Sequence, residues 1–154
     1  MAPARVAGLV LLCPVPAAGL PLPEPTRKLF HDAAGNHSQQ RTILQMACRE
    51  LTEAARERLL DLAASIPAAC LHAGLEAWSR GGFADRLAAL CAPTLVVATN
   101  DPFLPPSLLA TAVVAPIARA RLAVLPGPGH YPQVERPRET AALLQAFLAG
   151  LARP

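Results

Sequence analysis

The residues of this chain best equipped for chemistry fall in two short segments, Thr99-Asn100-Asp101-Pro102-Phe103-Leu104-Pro105 and Gly127-Pro128-Gly129-His130-Tyr131-Pro132. An imidazole can both accept and return a proton near neutrality, so a histidine beside a nucleophile serves as base and then as acid. A carboxylate bonded to that imidazole fixes its tautomer and stabilises the imidazolium that forms. His130 is therefore the candidate base and Asp101 the candidate orienting acid. Gly127 and Gly129 let the histidine segment turn sharply and approach its neighbours closely. Phe103 and Tyr131, each close to one of these residues, and Phe30 and Trp78 further upstream are candidates to line a substrate pocket. Glu135 reads as an anchor for the start of the next helix rather than as an acid or base.

A matching nucleophile is not evident. The serines are Ser38, Ser65, Ser79 and Ser107, and none lies between a strand and a helix with flanking glycines. His31 and His37 have no third ligand at sensible spacing, so they read as surface or lid histidines rather than metal ligands. His72 lies in an apolar helical stretch and reads as core packing. Cys13, Cys48, Cys70 and Cys91 contain no C-x-x-C pair. That spacing fits neither a zinc framework nor a small disulfide scaffold. Four buried thiols in a reducing compartment are expected instead.

Positioning Asp101 and His130 requires elements that end where these segments begin. Val6–Cys13 (VAGLVLLC) is an apolar run stopped by Pro14, as expected of a strand buried on both faces. Pro14–Pro25 is proline-rich and reads as a loop. Helices are expected over Lys28–Asn36, from Ser38 to Cys48, over Glu53–Ala64 with Thr52 as its cap, from Pro67 to Trp78, and over Ala84–Leu90. The β-branched run Thr94–Ala98 reads as a strand, Pro105–Val113 as a helix, Arg121–Leu125 as a strand and Glu139–Leu151 as a helix. Strands alternating with helices imply a parallel sheet with right-handed crossovers. Chemistry in such sheets sits in the loops after the strand ends, which is where Asp101 and His130 fall.

These segments resemble the α/β-hydrolase family. PTLVVATNDPFLPP (93–106) is similar to the family's acid segment, and GPGHYPQVERPRETAALLQAFL (127–148) to its histidine segment, with Glu135 and Pro137 leading into the next helix. RVAGLVLLCPVPAAG (5–19) resembles the strand that follows the nucleophile helix. The resemblance implies a partial α/β-hydrolase fold: a three-stranded parallel sheet with a helical cap insertion. Residues 1–25 and 91–154 would form the C-terminal part of the core and residues 26–90 the cap. It also implies a serine-type triad in which this chain supplies His130 and Asp101, with no metal or organic cofactor. The family's G-x-S-x-G nucleophile elbow is absent from the sequence. Ester hydrolysis, dehalogenation, epoxide hydrolysis and haloperoxidation therefore stay open, the middle two needing an aspartate nucleophile.

Composition narrows the classes. Of 154 residues, 53% are hydrophobic and 16% charged, which excludes a disordered tail. A net charge of +3, no clustered basic residues and 4% aromatics argue against nucleic-acid binding. No apolar run reaches the roughly 18 residues of a membrane-spanning helix. The short basic start and apolar residues 6–13 have the pattern of an export signal, but a buried strand accounts for them too, and a cytoplasmic location is expected. The expected function is hydrolysis of a small apolar ester or similar acyl substrate. The alternative is a catalytically inactive remnant, or one chain of a split enzyme that binds another subunit. The open strand edge at residues 6–13 is the expected place for such an association. A piece of a longer gene product would account for the same features.

Overall fold

The computed structural model describes residues 5–151. Strands β1 (Leu9–Leu12), β2 (Thr94–Ala98) and β3 (Ala120–Val124) form one parallel sheet in the order β1-β2-β3. Leu9 stands opposite Thr94, and Thr94 opposite Ala120. The β-branched run of β2 takes the central place and is buried along its whole length, as a strand covered on both faces must be. Sequential order makes the segments after β2 and β3 neighbours.

Each face of the sheet has its own core. Val96 and Ala98 pack with Leu104, Leu109, Val113 and Ile117 on one side. Leu95 and Val97 pack with Phe147, Val10, Leu12 and Leu143 on the other. This is the period-two alternation of a strand. Val113 lies in the π-helical turn (Ala110–Val114) that continues α5 (Pro106–Leu109), and Ile117 lies just beyond it. Phe147 and Leu143 belong to α7 (Pro137–Leu151), preceded by the single turn α6 (Pro132–Glu135).

Between β1 and β2 the chain forms α1 (Glu24–Asp32), α2 (His37–Ala47), α3 (Glu53–Ala64) and α4 (Ala68–Arg80), then a 3-10 stretch at Ala84–Ala89. Asn36 caps α2 by accepting from Gln39 N–H at 3.2 Å, and Thr52 caps α3 by accepting from Ala55 N–H at 3.2 Å. Satisfying those first N–H groups sets where each helix begins. Gly81 ends α4 at φ 61°, and a Cβ there would lie 2.1 Å from Gly19 N. Only glycine permits the chain to leave α4 while touching the loop after β1.

Several expectations are corrected. β1 covers Leu9–Leu12 rather than Val6–Cys13 and is half-buried, because it is paired on one side only among the described residues. Cys13 ends it in the left-handed region at φ 42°. The first helix begins at Glu24, inside the expected loop, because Pro25 suits a first turn. The second is capped by Asn36, not Ser38. The 84–89 segment winds as a 3-10 helix. Cys13 and Cys48 are buried thiols as expected, whereas Cys70 and Cys91 are exposed. His72 is not core: its ring stacks on His31 at 4.2 Å, and its Nε2 bonds the His31 carbonyl at 3.0 Å. Among the described residues, no single helix is long and apolar enough to cross a membrane.

Candidate active site

The loop after β2 builds the acid. Thr99 accepts a hydrogen bond from Asp101 N–H at 3.1 Å, and Asp101 Oδ1 accepts one from Phe103 N–H at 2.8 Å. These local bonds fix the carboxyl group, and its side chain is fully buried. The loop after β3 brings the histidine to it. His130 Nδ1 lies 2.6 Å from Asp101 Oδ2. A carboxylate accepts only, so the ring nitrogen donates and the lone pair is left on Nε2.

The two loops are stitched together by groups outside that pair. Thr99 Oγ1 donates to the Gly129 carbonyl at 2.8 Å, and Cys13 Sγ lies 3.3 Å from the same hydroxyl. Asn100 N–H donates to the Pro128 carbonyl at 2.9 Å. Asn100 Oδ1 accepts from Gly127 N–H at 3.0 Å. Gly129 sits so close to α2 that a Cβ would fall 2.2 Å from the Ala47 carbonyl oxygen. That same carbonyl accepts from His130 N–H at 3.0 Å. The end of α2 is thus built into the histidine loop.

His130 opens onto a cavity of about 230 Å³ lined by Val15, Leu20, Phe30, Trp78, Phe103 and Tyr131, among others. All four residues singled out as pocket candidates, Phe30, Trp78, Phe103 and Tyr131, reach this one cavity although they come from separate parts of the chain. The Phe30 ring lies edge-on to Trp78 at 5.6 Å and to Phe103 at 6.2 Å. The same Phe30, Trp78 and Tyr131 also border a second, larger apolar cavity of about 410 Å³ among the helices between β1 and β2. Burial holds the Tyr131 phenol above its ordinary pKa, so it stays neutral. Burial likewise raises the Cys13 thiol to about 11 and the Cys48 thiol to about 12. Neither is a ready nucleophile.

No serine lines the cavity among the described residues. Ser79 donates to the Leu75 carbonyl within α4, Ser65 to the Leu62 carbonyl within α3, and Ser38 and Ser107 lie in the first turns of α2 and α5. No group of three or more metal-ligating side chains occurs among the described residues.

A sequence profile described as the alpha/beta hydrolase family matches residues 1–143. The chain belongs to the α/β-hydrolase family. Solved structures of the same fold include an esterase from Exiguobacterium antarcticum, with TM-score 0.81 and 15% identity, covering 93% of this chain and 57% of that one. A bromoperoxidase from Bacillus anthracis gives TM-score 0.80 at 18% identity, covering 91% of this chain and 57% of its own. A thermophilic esterase from Thermogutta terrifontis gives TM-score 0.75 at 22% identity, covering 98% and 58%. The chain therefore spans less than three fifths of the length of these three relatives and represents part of an α/β-hydrolase fold. No curated protein matches it.

Thr99 escaped the sequence reading, and Glu135, expected only to anchor the start of the next helix, does more than that. Thr99 joins both loops with one hydroxyl, and Glu135 gathers backbone N–H groups around His130. For Thr99 a signal existed, since a hydroxyl two residues before a loop carboxylate is a common turn device. For Glu135 two partners, Gly129 and Tyr131, are close in sequence, but Arg49 and Glu50 lie 86 and 85 positions away and could not be foreseen.

Proposed function

We propose that this chain supplies the histidine and the acid of an α/β-hydrolase that cleaves a small apolar ester or similar acyl compound. The observation that carries this reading is the 2.6 Å bond from His130 Nδ1 to the buried carboxylate of Asp101, beside an apolar cavity. A serine hydroxyl presented to Nε2 gives up its proton to His130 as the oxygen attacks the acyl carbon. His130 returns that proton to the departing alcohol, and the acyl-enzyme is hydrolysed by water activated in the same way. Asp101 keeps the imidazole in the productive tautomer and offsets its transient positive charge. The serine and the donors for the oxyanion come from outside residues 5–151. The cavity walls favour an uncharged acyl group, because they offer no charged partner apart from His130 itself when protonated.

The test uses the protein at the length its source makes, with any chain that purifies with it. It is treated with a fluorophosphonate and assayed on p-nitrophenyl esters of increasing chain length. Expected are a labelled serine and a rate that falls by about four orders of magnitude in Asp101→Asn and at least as far in His130→Ala. Ester cleavage indifferent to both substitutions would sink the reading.

A second reading is favoured by the half-paired β1 strand: the chain is one partner of a two-chain assembly, with or without activity of its own. Leu9 N–H bonds the Pro93 carbonyl and Cys13 N–H the Val97 carbonyl, both at 2.9 Å. By alternation the peptide groups of Val10 and Leu12 point the other way. They are positioned to receive another strand.

A further inference from the structure

Glu135 stands one turn past His130, and its carboxylate collects more backbone donors than any other side chain around the site. Oε2 accepts from Arg49 N–H and Glu50 N–H, each at 2.7 Å, and from Gly129 N–H at 3.0 Å. Oε1 accepts from Gly129 N–H at 3.0 Å and from Tyr131 N–H at 3.3 Å. Two of these four residues flank His130 directly. The other two lie just beyond α2, in the insertion, 85 and 86 positions away in sequence. Convergent N–H groups form a concave site for an anion, and bonds to a charged acceptor are stronger than neutral ones.

The consequence concerns where the imidazole sits. Asp101 is fixed by its own loop through Thr99 and Phe103. His130 has no such local bracing. Its own N–H is held by Ala47 of α2, and its neighbours on both sides are held by Glu135. The bond to Asp101 depends on the histidine loop keeping this path, and Arg49 and Glu50, just after α2, are fastened to the loop through the same carboxylate.

We propose that Glu135 is a positioning residue, whose carboxylate clamps the backbone on both sides of His130 and the insertion at Arg49 and Glu50, and so holds the imidazole in register with Asp101. The role rests on the reading of His130 as the base, but the clamp can be observed without turnover. Glutamine is the informative replacement. It keeps one accepting oxygen and turns an NH2 group against N–H groups that, among the described residues, have no acceptor besides Glu135. Whichever way the amide lies, either the Arg49–Glu50 side or the Tyr131 side loses its acceptor.

The experiment is NMR on the full 154-residue chain, comparing wild type, Glu135→Gln and Arg136→Ala. Arg136 pairs with the Glu50 side chain and so ties the same two segments without touching the Glu135 clamp. Two signals are read: the ring 15N shifts of His130, which report its tautomer, and amide exchange at Arg49, Glu50, Gly129 and Tyr131. In Glu135→Gln the Nδ1–H tautomer gives way to a mixture, and exchange at those amides quickens by about tenfold or more while β2 stays protected. Arg136→Ala leaves the tautomer as in wild type. If Glu135→Gln also strips protection from β2, Glu135→Asp is measured instead; it keeps both oxygens but withdraws them by one methylene, and the same shifts are expected. A His130 ring that holds the Nδ1–H tautomer while those amides loosen, or an Arg136→Ala variant that loses it equally, overturns the proposal. Neither outcome bears on whether the chain belongs to a serine hydrolase, which the fluorophosphonate assay decides separately.

Discussion

At the scale of single residues, Asp101 and His130 were legible as candidates because each residue type stands out in its own short segment. A carboxylate after a β-branched run and a histidine after a glycine-rich turn need only their own loops to announce them. Thr99, Asn100 and Glu135 hold those loops together, in part through partners 27, 30 and 86 positions away. Spacing along the chain carries no trace of such bonds. The cysteines divide in the same manner: all four looked apolar, yet burial separates Cys13 and Cys48 from Cys70 and Cys91. Their chemistry follows. With a thiol raised to about 11, Cys13 is thiolate to roughly one part in a thousand at pH 8. Iodoacetamide at that pH should modify Cys70 and Cys91 in the folded chain and spare Cys13 and Cys48, as read by intact mass and peptide mapping. The raised values also set a direction for stability. Between pH 9 and 11 the unfolded thiols release protons that the folded ones retain, so stability falls as pH rises through that window. Denaturation midpoints that stay level from pH 8 to 10.5 would contradict this.

At the scale of elements, the helices and strands with strong local signals matched their sequence pattern closely. Thr52 caps α3, β2 runs from Thr94 to Ala98, and α4 ends before Gly81. The misjudged boundaries occur where tertiary contact decides. Among the described residues β1 pairs with one neighbour, which keeps it short, and the histidine segment makes a separate turn, α6, before α7 begins. The junction of α2 with the histidine loop is of the same kind, since nothing in HSQQRTILQMA (37–47) foretells that its last carbonyl will meet His130. Gly129 is the residue that makes this junction sterically feasible. A methyl group there would meet the Ala47 carbonyl oxygen at 2.2 Å and Cys48 Cα at 2.7 Å, both backbone atoms that cannot swing aside. Gly129→Ala should therefore cost about 2 to 4 kcal/mol, by forcing α2 and the loop apart. Gly74 on α4 has open space around it, and Gly74→Ala should be neutral or slightly stabilising. Urea denaturation of the two variants beside the parent chain measures the contrast. Equal midpoints for both would show that the approach of α2 to the loop carries no strain.

At the scale of the whole molecule, the sheet has fewer strands than it has surface to cover. Its two outer strands are half-buried, and Val6 and Val124 near the open edges are 49% and 52% exposed. An apolar parallel edge with free peptide groups is a template for another strand. The relatives of known structure are longer than this chain, and the proposed serine has to arrive from beyond the described residues, so edge pairing and catalysis pose one question. A strand that joins β1 would extend the sheet on the side opposite β2 and β3, whose following loops carry Asp101 and His130. The loop after that strand would then lie at the same end of the sheet, which is where a nucleophile must stand. Val10 is the place to probe, because its N–H points away from β2 and proline there removes an outward donor without breaking a β1–β2 bond. The isolated chain should self-associate as its concentration rises, and Val10→Pro should lower the association constant by about tenfold or more while amides of β2 keep their protection. Sedimentation velocity over the micromolar range tests this. A chain that stays monomeric throughout would mean that the β1 edge is protected by other means, and the two-chain reading would lose its only structural support.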